Sequence, residues 1–197
     1  MIRVIERSDA AGIAALHLQV LRSHLRGVAG SHLVAAYYRA LAIGKGGIGY
    51  VSVENDGRVS GFVCGIWEQR LVRGILFRHE WPRLLGWGGI LLMLTPALLR
   101  DVWSRFVPRR GVGRGSGVAT AGGEYELRPI AVAAEFRGQG VAERLLMRLV
   151  DDAQNRGFHS IILKTEVDNG RANAFYVKRG FVVERTIDGY NHYRLAI

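Results

Sequence analysis

The sequence predicts a three-layer domain of the α/β (α+β) class, in which helices cover both faces of a mixed sheet of roughly six to seven strands. Apolar, partly β-branched runs alternate with segments of helical periodicity in the order βααββ, an insertion, then βαβαββ. Two pairs of predicted strands are joined by Asp-Gly turns, at residues 56–57 and 188–189, which are typical of tight hairpins. We therefore predict a single domain over 1–197, with an insertion at about 69–117 between the third and fourth strands.

Composition and charge limit the class of protein. The chain of 197 residues has 49% hydrophobic and 22% charged residues, which is typical of a folded globular protein rather than a disordered one. Its single cysteine, Cys64, excludes an internal disulfide and lies in an apolar run, so we interpret it as a core thiol. The first ten residues contain no apolar segment long enough for a signal peptide. We predict a cytoplasmic protein, either free or associated with a membrane surface.

The first half of the chain predicts a strand, two helices and a hairpin. Apolar residues recur at helical spacing after Ser8 and again after Ser31, so these two serines are the predicted helix caps. The first helix would end near Arg26, because Gly27 and Gly30 interrupt the pattern. The predicted elements are a strand over 2–6, helices over 8–26 and 31–42, and strands over 48–53 and 59–67.

The second half of the chain predicts four strands and two helices. The longer helix carries a broad apolar face, so one side of it would pack on the sheet. Asp168-Asn169 is the predicted turn and cap before the shorter helix, and Gly180 suits its C-terminal end. The predicted elements are strands over 118–132, 159–166, 181–187 and 190–195, and helices over 140–156 and 171–179.

The insertion differs from the rest of the chain in charge and hydropathy. Residues 70–114 contain nine arginines and only two acidic residues, Glu80 and Asp101, within a protein of net charge +10. The central run over 84–99 has 16 residues without a charge, which is shorter than the roughly 20 apolar residues of a membrane-spanning helix. An excess of arginine suggests an anionic partner.

Three interpretations of the insertion stay open. It forms a helix or helix pair that packs over the domain or in a homodimer through 70–115. It contacts a membrane surface, where arginines meet lipid phosphates. It covers an apolar substrate as a lid. Because the chain contains no nucleic-acid recognition motif, we predict no specific nucleic-acid partner.

A short glycine loop over 137–140, with the sequence RGQG, follows the apolar run 127–132 and precedes the longer helix. Backbone N–H groups in such a loop and in the first helical turn have no partner within the helix, so they can hold an anion such as a diphosphate. The loop alone is equally compatible with a simple turn. A second motif, about thirty residues downstream, favours the anion site.

Together, the segments RGQGVA at 137–142 and NGRANAFYVKRGF at 169–181 resemble the GNAT superfamily of acetyl-coenzyme A-dependent N-acetyltransferases. That family carries an Arg/Gln-x-x-Gly-x-Gly/Ala loop between its fourth strand and third helix, followed later by Ala-x-x-Phe-Tyr-x-x-x-Gly-Phe. The matching residues are Arg137, Gly140 and Ala142 in the first motif, and Ala172, Phe175, Tyr176, Gly180 and Phe181 in the second. The resemblance covers about 1–68 and 118–197 and does not explain the insertion.

The resemblance implies that acetyl-coenzyme A binds where two parallel strands part near the centre of the sheet. Loop N–H groups would hold the coenzyme diphosphate, and the pantetheine arm would pair with the exposed strand edge. Asn169 or Asn173 would contact the pantetheine arm or the adenosine, and no metal is implied. The residues implied in coenzyme binding are Ile130, Ala131, Val132, Arg137, Gly138, Gln139, Gly140, Val141, Ala142, Asn169, Asn173 and Tyr176.

Catalytic roles follow for four residues. The resemblance implies that the N–H of Val132 donates to the thioester carbonyl, where negative charge grows during attack. It also implies that Tyr176 protonates the departing thiolate, since a phenol is protonated at neutral pH. Glu126 or Glu124, two residues apart on one strand face, would take the proton of the amine, directly or through water. For Glu126 the alternative is an ion pair with Arg128.

We therefore predict an N-acetyltransferase that moves an acetyl group from acetyl-coenzyme A to a primary amine of a small molecule, by direct attack in a ternary complex. Basic and aromatic residues of the first two helices suit an acceptor with an anionic or amphipathic part, such as an amino sugar or an amino acid. These residues are Arg22, His24, Arg26, Tyr37 and Tyr38. Two alternatives stay open: an acyltransferase for longer acyl-coenzyme A or lipid-linked substrates, and a non-catalytic module that binds coenzyme A or docks on a membrane.

Overall fold

A mixed sheet of seven strands forms the centre of the protein, and the computed structural model describes residues 1–21, 27–94 and 124–197. The strands are β1 (Ile2–Val4), β2 (Gly47–Val53), β3 (Val59–Ile66), β4 (Tyr125–Val132), β5 (Ser160–Glu166), β6 (Val182–Ile187) and β7 (Tyr190–Ala196). The helices of the described residues are α1 (Ala10–Val20), α2 (Gly27–Leu41), α3 (Gln69–Leu94), α4 (Val141–Asn155) and α5 (Gly170–Lys178). This order of elements confirms the predicted α/β (α+β) class.

The strands lie in the order β1-β2-β3-β4-β5-β7-β6, and every neighbouring pair is antiparallel except the parallel pair β4 and β5. The predicted Asp-Gly hairpins join β2 to β3 and β6 to β7. Gly57 and Gly189 have φ values of 83° and 78°, which glycine adopts at low cost and which tight hairpin turns require. Both hairpin predictions are confirmed.

The predicted boundaries of the first two helices are wrong. A 3-10 turn over Arg7–Asp9 precedes α1, and the Asp9 carboxylate accepts the N–H of Glu6 at 2.8 Å while Arg3 holds it at 2.7 Å. This carboxylate, and not Ser8, therefore organises the start of the helix.

The second helix also begins at a residue that the sequence did not indicate. Helix α1 ends at Val20, and α2 begins at Gly27 rather than after Ser31. Glycine is accepted near helix starts, so Gly27 opens a helix here instead of interrupting one. The expected end of the first helix, over 22–26, lies outside the described residues, as do 95–123, which include the rest of the insertion and the first part of the predicted fourth strand.

Helices on both faces of the sheet bury two separate cores. Helices α1 and α2 cover one face, and α4 covers the other. Fully buried side chains of the first core are Ile13, Tyr38 and Phe62, and those of the second are Tyr125, Leu145 and Leu149. Cys64 lies in the first core, where burial raises the pKa of its thiol, so its interpretation as a core thiol is confirmed.

Two irregularities in β4 open the sheet at its centre. Relative to β3, β4 carries one extra residue over 127–130, so Arg128 and Pro129 form a β-bulge. Proline is accepted there because a bulge interrupts the ladder of backbone hydrogen bonds. On its other side β4 pairs with β5 only at Tyr125 and Glu126, and within the described part of the chain the rest of β4 has no partner strand there. The predicted central splay of the sheet is confirmed.

A polar cluster fixes α4 beneath this part of the sheet. The Tyr125 hydroxyl donates to Asp152 Oδ2 at 2.8 Å, and the Tyr50 hydroxyl donates to Asp152 Oδ1 at 3.2 Å. Arg156 binds the same carboxylate at 2.7 Å. A side chain at Gly65 would overlap the ring of Tyr125, so glycine there allows the tyrosine to lie flat against β3. The cluster therefore sets the distance between α4 and β4, on which the site depends.

Candidate active site

The opening between β4 and β5 exposes backbone groups at the end of β4. Ala133 donates its N–H to the carbonyl of Ser60 at 2.9 Å, and bonding to the neighbouring strand alternates along an antiparallel pair. The N–H groups of Val132 and Ile130 therefore point away from β3, into the opening. The Val132 side chain is buried in the second core and that of Ala131 in the first, so only backbone is presented there.

The loop between β4 and α4 presents a group of backbone N–H donors at the start of the helix. Gly138 and Gly140 have φ values of 78° and 74°, a left-handed conformation that other residues rarely adopt. Gly140 begins α4 without a side-chain hydrogen bond to the first turn, which contains Val141 and Ala142. Among the described residues, none accepts a well-formed hydrogen bond from the N–H groups of 138–142. These donors lie at the positive end of the helix dipole, where an anion is favoured.

Side chains hold this loop in shape. Arg137 Nε donates to the carbonyl oxygen of Val132 at 3.2 Å, and Gln139 Nε2 donates to that of Glu135 at 2.9 Å. Arg144, one turn into α4, donates to the carbonyl of Gln139 at 3.0 Å. The resemblance implied that Arg137 and Gln139 contact the coenzyme. In the structure their side chains form hydrogen bonds within the loop and to the end of β4. Their contact with a coenzyme stays a prediction.

An ion pair joins the first turn of α4 to the end of α5. Glu143 Oε1 lies 2.5 Å from Nη1 of Arg179, which follows the last residue of α5. The Nε of Arg179 is buried and has no hydrogen-bond partner among the described residues. A cationic donor is thus in contact with the turn that presents the free N–H groups.

Tyr176 lies on α5 in the second core and is 7% exposed. Its ring packs edge-to-face against Phe175 and Phe181 and tilted against Tyr193. Burial, with a smaller effect of Tyr193, raises the pKa of Tyr176, so the phenol remains protonated at neutral pH. Its hydroxyl makes no hydrogen bond within the described part of the chain. The Tyr176 hydroxyl therefore donates its proton to no acceptor within those residues.

Asn169 caps α5, as the sequence predicts. Its side-chain oxygen accepts the N–H of Ala172 at 3.2 Å, and the residue is otherwise exposed. Contact of Asn169 with a coenzyme stays a prediction, and nothing in its own hydrogen bonds opposes it.

Asn173 is occupied by contacts within the fold. Its amide nitrogen donates to three carbonyl groups, those of Glu166, Val167 and Asn169, at 3.0 to 3.1 Å. Its oxygen accepts from the Tyr193 hydroxyl at 2.8 Å and from Asn191 at 3.1 Å. Asn173 thus ties α5 to β5 and β7, which explains its position without a coenzyme. Of the two asparagines, Asn169 has the more accessible amide.

Both candidate general bases are bound by arginines. Glu126 Oε1 lies 2.7 Å from Arg128 Nε, and Glu124 Oε1 lies 3.1 Å from Arg194 Nη2. Although burial opposes its charged form, the hydrogen bond and the charge of Glu126 raise the pKa of Arg128. The ion pair between Glu126 and Arg128, which the sequence analysis gave as the alternative for Glu126, is therefore present. The role of either glutamate as a base stays a prediction.

Helices α1 and α2 bring aromatic groups to the face of the sheet on which Glu126 and Arg128 lie. The Tyr38 hydroxyl and Nδ1 of His17 are 2.8 Å apart, and burial lowers the pKa of His17. Tyr37 lies within electrostatic reach of Glu126 and Arg128. The other predicted acceptor-side residues, over 22–26, lie outside the described residues, which contain no group of three or more His, Cys, Asp or Glu side chains able to hold a metal ion.

The sequence did not identify Tyr193 or the bulged position of Arg128. Alternation along β7 would have directed Tyr193 inward, on the same side as Leu195. Pro129 within an apolar strand was the signal for a bulge, because proline interrupts the ladder of a regular central strand.

The sequence model of the acetyltransferase (GNAT) family matches residues 17–181. A segment of 52 residues, 26% of this chain, is 46% identical to N-alpha-acetyltransferase 30 of Schizosaccharomyces pombe and spans only 35% of that protein's length.

Solved structures extend the likeness over the whole chain. NAA60 of Arabidopsis thaliana in complex with acetyl-CoA has a TM-score of 0.60 at 14% identity, and the match covers 100% of this chain and 97% of that one. An aminoglycoside antibiotic 6′-N-acetyltransferase from Acinetobacter baumannii has a TM-score of 0.60 at 13% identity, with coverage of 95% and 93%. At these identities the likeness concerns the fold.

Proposed function

This chain belongs to the acetyltransferase (GNAT) family, and from that premise we propose that it transfers an acetyl group from acetyl-coenzyme A to a primary amine. One observation carries the proposal. The end of β4, with the N–H of Val132 pointing into the sheet opening, leads directly into a loop whose free N–H groups begin α4. Acetyl-coenzyme A carries a diphosphate and a thioester on one flexible arm. Its site therefore needs N–H donors for the diphosphate close to an N–H donor for the thioester, and the loop and the strand end supply these two sets next to each other.

The donor substrate would be held mainly by backbone. N–H groups of residues 138–142 would bind the diphosphate, assisted by the positive end of α4. The pantetheine arm would lie in the sheet opening, where it pairs with the edge presented by Ile130 and Val132. Because Arg137 already binds the Val132 carbonyl, that strand end is held in place before a substrate arrives.

The proposed reaction forms one bond and breaks one. The amine nitrogen attacks the thioester carbonyl carbon, the N–C bond forms and the C–S bond breaks. Negative charge on the carbonyl oxygen is stabilised by the N–H of Val132. The Tyr176 phenol gives its proton to the leaving sulfur, and Glu126, directly or through water, takes the proton that the amine loses. Return of a proton from solvent to Tyr176 and loss of the proton from Glu126 to solvent complete the cycle.

For the acceptor we propose a small-molecule amine with an anionic or amphipathic part. Support comes from Arg128, whose guanidinium is partly exposed beside Tyr37 on the helix-covered face. A second candidate is the amino-terminal amine of a protein, which is favoured by the segment 46% identical to N-alpha-acetyltransferase 30. The fold does not separate the two, since structures of similar TM-score include an enzyme named for aminoglycosides.

Two measurements test the proposal in order. Isothermal titration of the full chain with acetyl-coenzyme A, octanoyl-coenzyme A and coenzyme A determines whether a donor binds and which of them binds most tightly. Thiol release is then measured with amino sugars, amino acids, aminoglycosides and short peptides with free amino termini. We expect donor binding and rapid thiol release with one acceptor class only. Absence of donor binding would overturn the proposed function, whereas equal and weak turnover of acidic and neutral amines would remove only the proposed acceptor.

A further inference from the structure

Helix α3, at the start of the insertion, has two different faces. Val72, Leu76 and Glu80 follow one another at a spacing of four residues and form a row of buried and half-buried side chains. Phe77, Trp81 and Leu85 follow at the same spacing and form a second, exposed row, which lies about 100° around the helix from the first. The helix is thus apolar on a face turned to the protein and again on a face turned to solvent.

The inner face is fixed by a buried ion pair. Arg39 of α2 binds the Glu80 carboxylate through Nε at 3.2 Å and through Nη2 at 3.0 Å, and Glu80 is only 4% exposed. Val72, 3% exposed, packs in the first core. Turning α3 about its axis would expose these groups and leave a buried charge without its partner, which is strongly unfavourable. The orientation of the outer face is therefore determined by the fold.

The outer face exposes large apolar side chains. Leu71, Phe77, Trp81 and Leu85 are 52%, 57%, 56% and 68% exposed. From Phe77 to Leu85 the row extends for about 12 Å along the helix. Single exposed apolar residues are ordinary, but a continuous row of leucine and aromatic side chains indicates a surface that binds something.

Charge on the same helix identifies the kind of partner. Four arginines and a single acidic residue lie in Gln69–Leu94, and that acid is the buried Glu80. Arg70 and Arg78 are exposed and alternate with the apolar row. The described part of α3 therefore presents arginines and apolar groups to solvent without an exposed carboxylate.

We propose that the outer face of α3 docks on an anionic lipid surface, with the helix lying in the plane of the membrane. Tryptophan, phenylalanine and leucine insert at the boundary between headgroups and acyl chains, and arginines bind lipid phosphates. Pairing with a second copy would bring like-charged arginines together without acidic partners. No helix among the described residues is long and apolar enough to cross a membrane.

Flotation of the full chain with vesicles tests this proposal. Phosphatidylcholine vesicles with and without phosphatidylglycerol are compared, and the binding should depend on the anionic lipid. Raising the salt from about 0.1 M to about 1 M shortens the screening length from about 10 Å to about 3 Å and should weaken binding. Arg70→Gln with Arg78→Gln should weaken it about 25-fold, at about fivefold for each arginine.

Matched variants distinguish binding through this face from non-specific hydrophobic binding to vesicles. Phe77→Ser, Trp81→Ser and Leu85→Ser together should reduce vesicle binding by at least tenfold. The control replaces three other exposed apolar residues, Met147, Val182 and Ile187, by serine and should bind as the unaltered chain does. Arg7→Gln with Arg58→Gln is the corresponding charge control. Circular dichroism of each variant establishes that it is folded.

Three outcomes would overturn the proposal. The first is flotation that does not change in the triple serine variant. The second is binding to mixed-sequence DNA, unaffected by that variant, without vesicle binding. The third is a dimer in sedimentation that the triple variant dissociates, again without vesicle binding. The first assigns vesicle binding to another surface of the protein, and the other two assign the arginines or the face to a different partner.

Discussion

Arg137 Nε donates to the carbonyl oxygen of Val132 at 3.2 Å, which connects the glycine loop to the end of the strand before it. The two parts of the proposed coenzyme site are therefore coupled by a side chain. The carbonyl of Val132 is occupied, while its N–H points into the sheet opening. The family resemblance suggested a contact between Arg137 and phosphate, and the structure adds this internal contact.

Replacement of Arg137 by alanine should loosen the strand end. We expect kcat/KM for acetyl-coenzyme A to fall about tenfold, which is about 1.4 kcal/mol. The free energy of unfolding should change by no more than about 1 kcal/mol, because a single part-buried side-chain hydrogen bond is lost. Steady-state kinetics and urea unfolding measure the two effects. Arg144→Ala, which removes the other arginine contact to a loop carbonyl, is the control and should affect kcat/KM less. A larger effect of Arg144→Ala would contradict the coupling.

Gly138→Ala should weaken coenzyme binding through backbone strain alone. Gly138 has a φ of 78° and open space around a Cβ atom, so alanine introduces strain without a clash. Gly57 in the first hairpin has a φ of 83° and equally open space, and Gly57→Ala is therefore a matched control. Both variants should lose about 1 kcal/mol of stability. Only Gly138→Ala should weaken binding of coenzyme A in isothermal titration, and equal affinities for the two variants would disagree with a loop that binds through its N–H groups.

Tyr176→Phe should reduce turnover and leave stability nearly unchanged. The Tyr176 hydroxyl makes no hydrogen bond to the described residues, so its removal should alter the free energy of unfolding by less than about 0.5 kcal/mol. Loss of a general acid should lower kcat by about 100-fold to 10,000-fold. Tyr193→Phe is the contrasting variant, because it removes the 2.8 Å bond to Asn173 and should cost about 1 kcal/mol of stability with a small effect on kcat. Unchanged turnover in Tyr176→Phe would show that this phenol is not the acid.

Glu126→Gln should lower kcat at saturating donor by about 100-fold or more if this carboxylate accepts the amine proton. The amide keeps an oxygen near Arg128, so the shape of the site is retained. Glu124→Gln is the comparison, since Glu124 is bound by Arg194 at the start of the strand and should have the smaller effect. Rate measurements over a range of pH distinguish the base from a merely structural group, because only loss of the base removes the acidic limb of the profile. An unaltered limb in Glu126→Gln would refute the assignment.

Buried tyrosines should make the protein less stable in alkali. Burial, followed by the charge of Asp152, raises the pKa of Tyr125. In the unfolded chain a tyrosine loses its proton near pH ~10. Above that pH the unfolded state binds fewer protons than the folded state, so the free energy of unfolding falls as the pH rises. Urea unfolding at several pH values should give a shallower alkaline decline for Tyr125→Phe than for Tyr190→Phe, which alters an exposed ring. Equal slopes would contradict the contribution of Tyr125.

Local signals were sufficient for much of the fold. The Asp-Gly turns, the apolar face of α4 and the cap at Asn169 are contained within a few neighbouring residues, and all three were predicted correctly. The caps of α1 and α2 were not. The Asp9 carboxylate, which accepts the N–H of Glu6 just before α1, is held by Arg3 of another element. A glycine near a helix start gives the same local signal as a helix break.

The sequence by itself determined the order of the elements, the glycine loop before α4 and the second motif on α5, because turn chemistry and helical periodicity act over short distances along the chain. Only the tertiary structure decided the contacts between distant segments. Among the described residues the end of β4 has no partner strand on the β5 side, because β5 pairs with β4 at just two residues. The side-chain oxygen of Asn173 is occupied within the fold, because Tyr193 and Asn191 of β7 donate hydrogen bonds to it. The solvent-facing row of α3 likewise depends on the ion pair between Arg39 and Glu80, 41 residues apart, which selects the face that the helix buries.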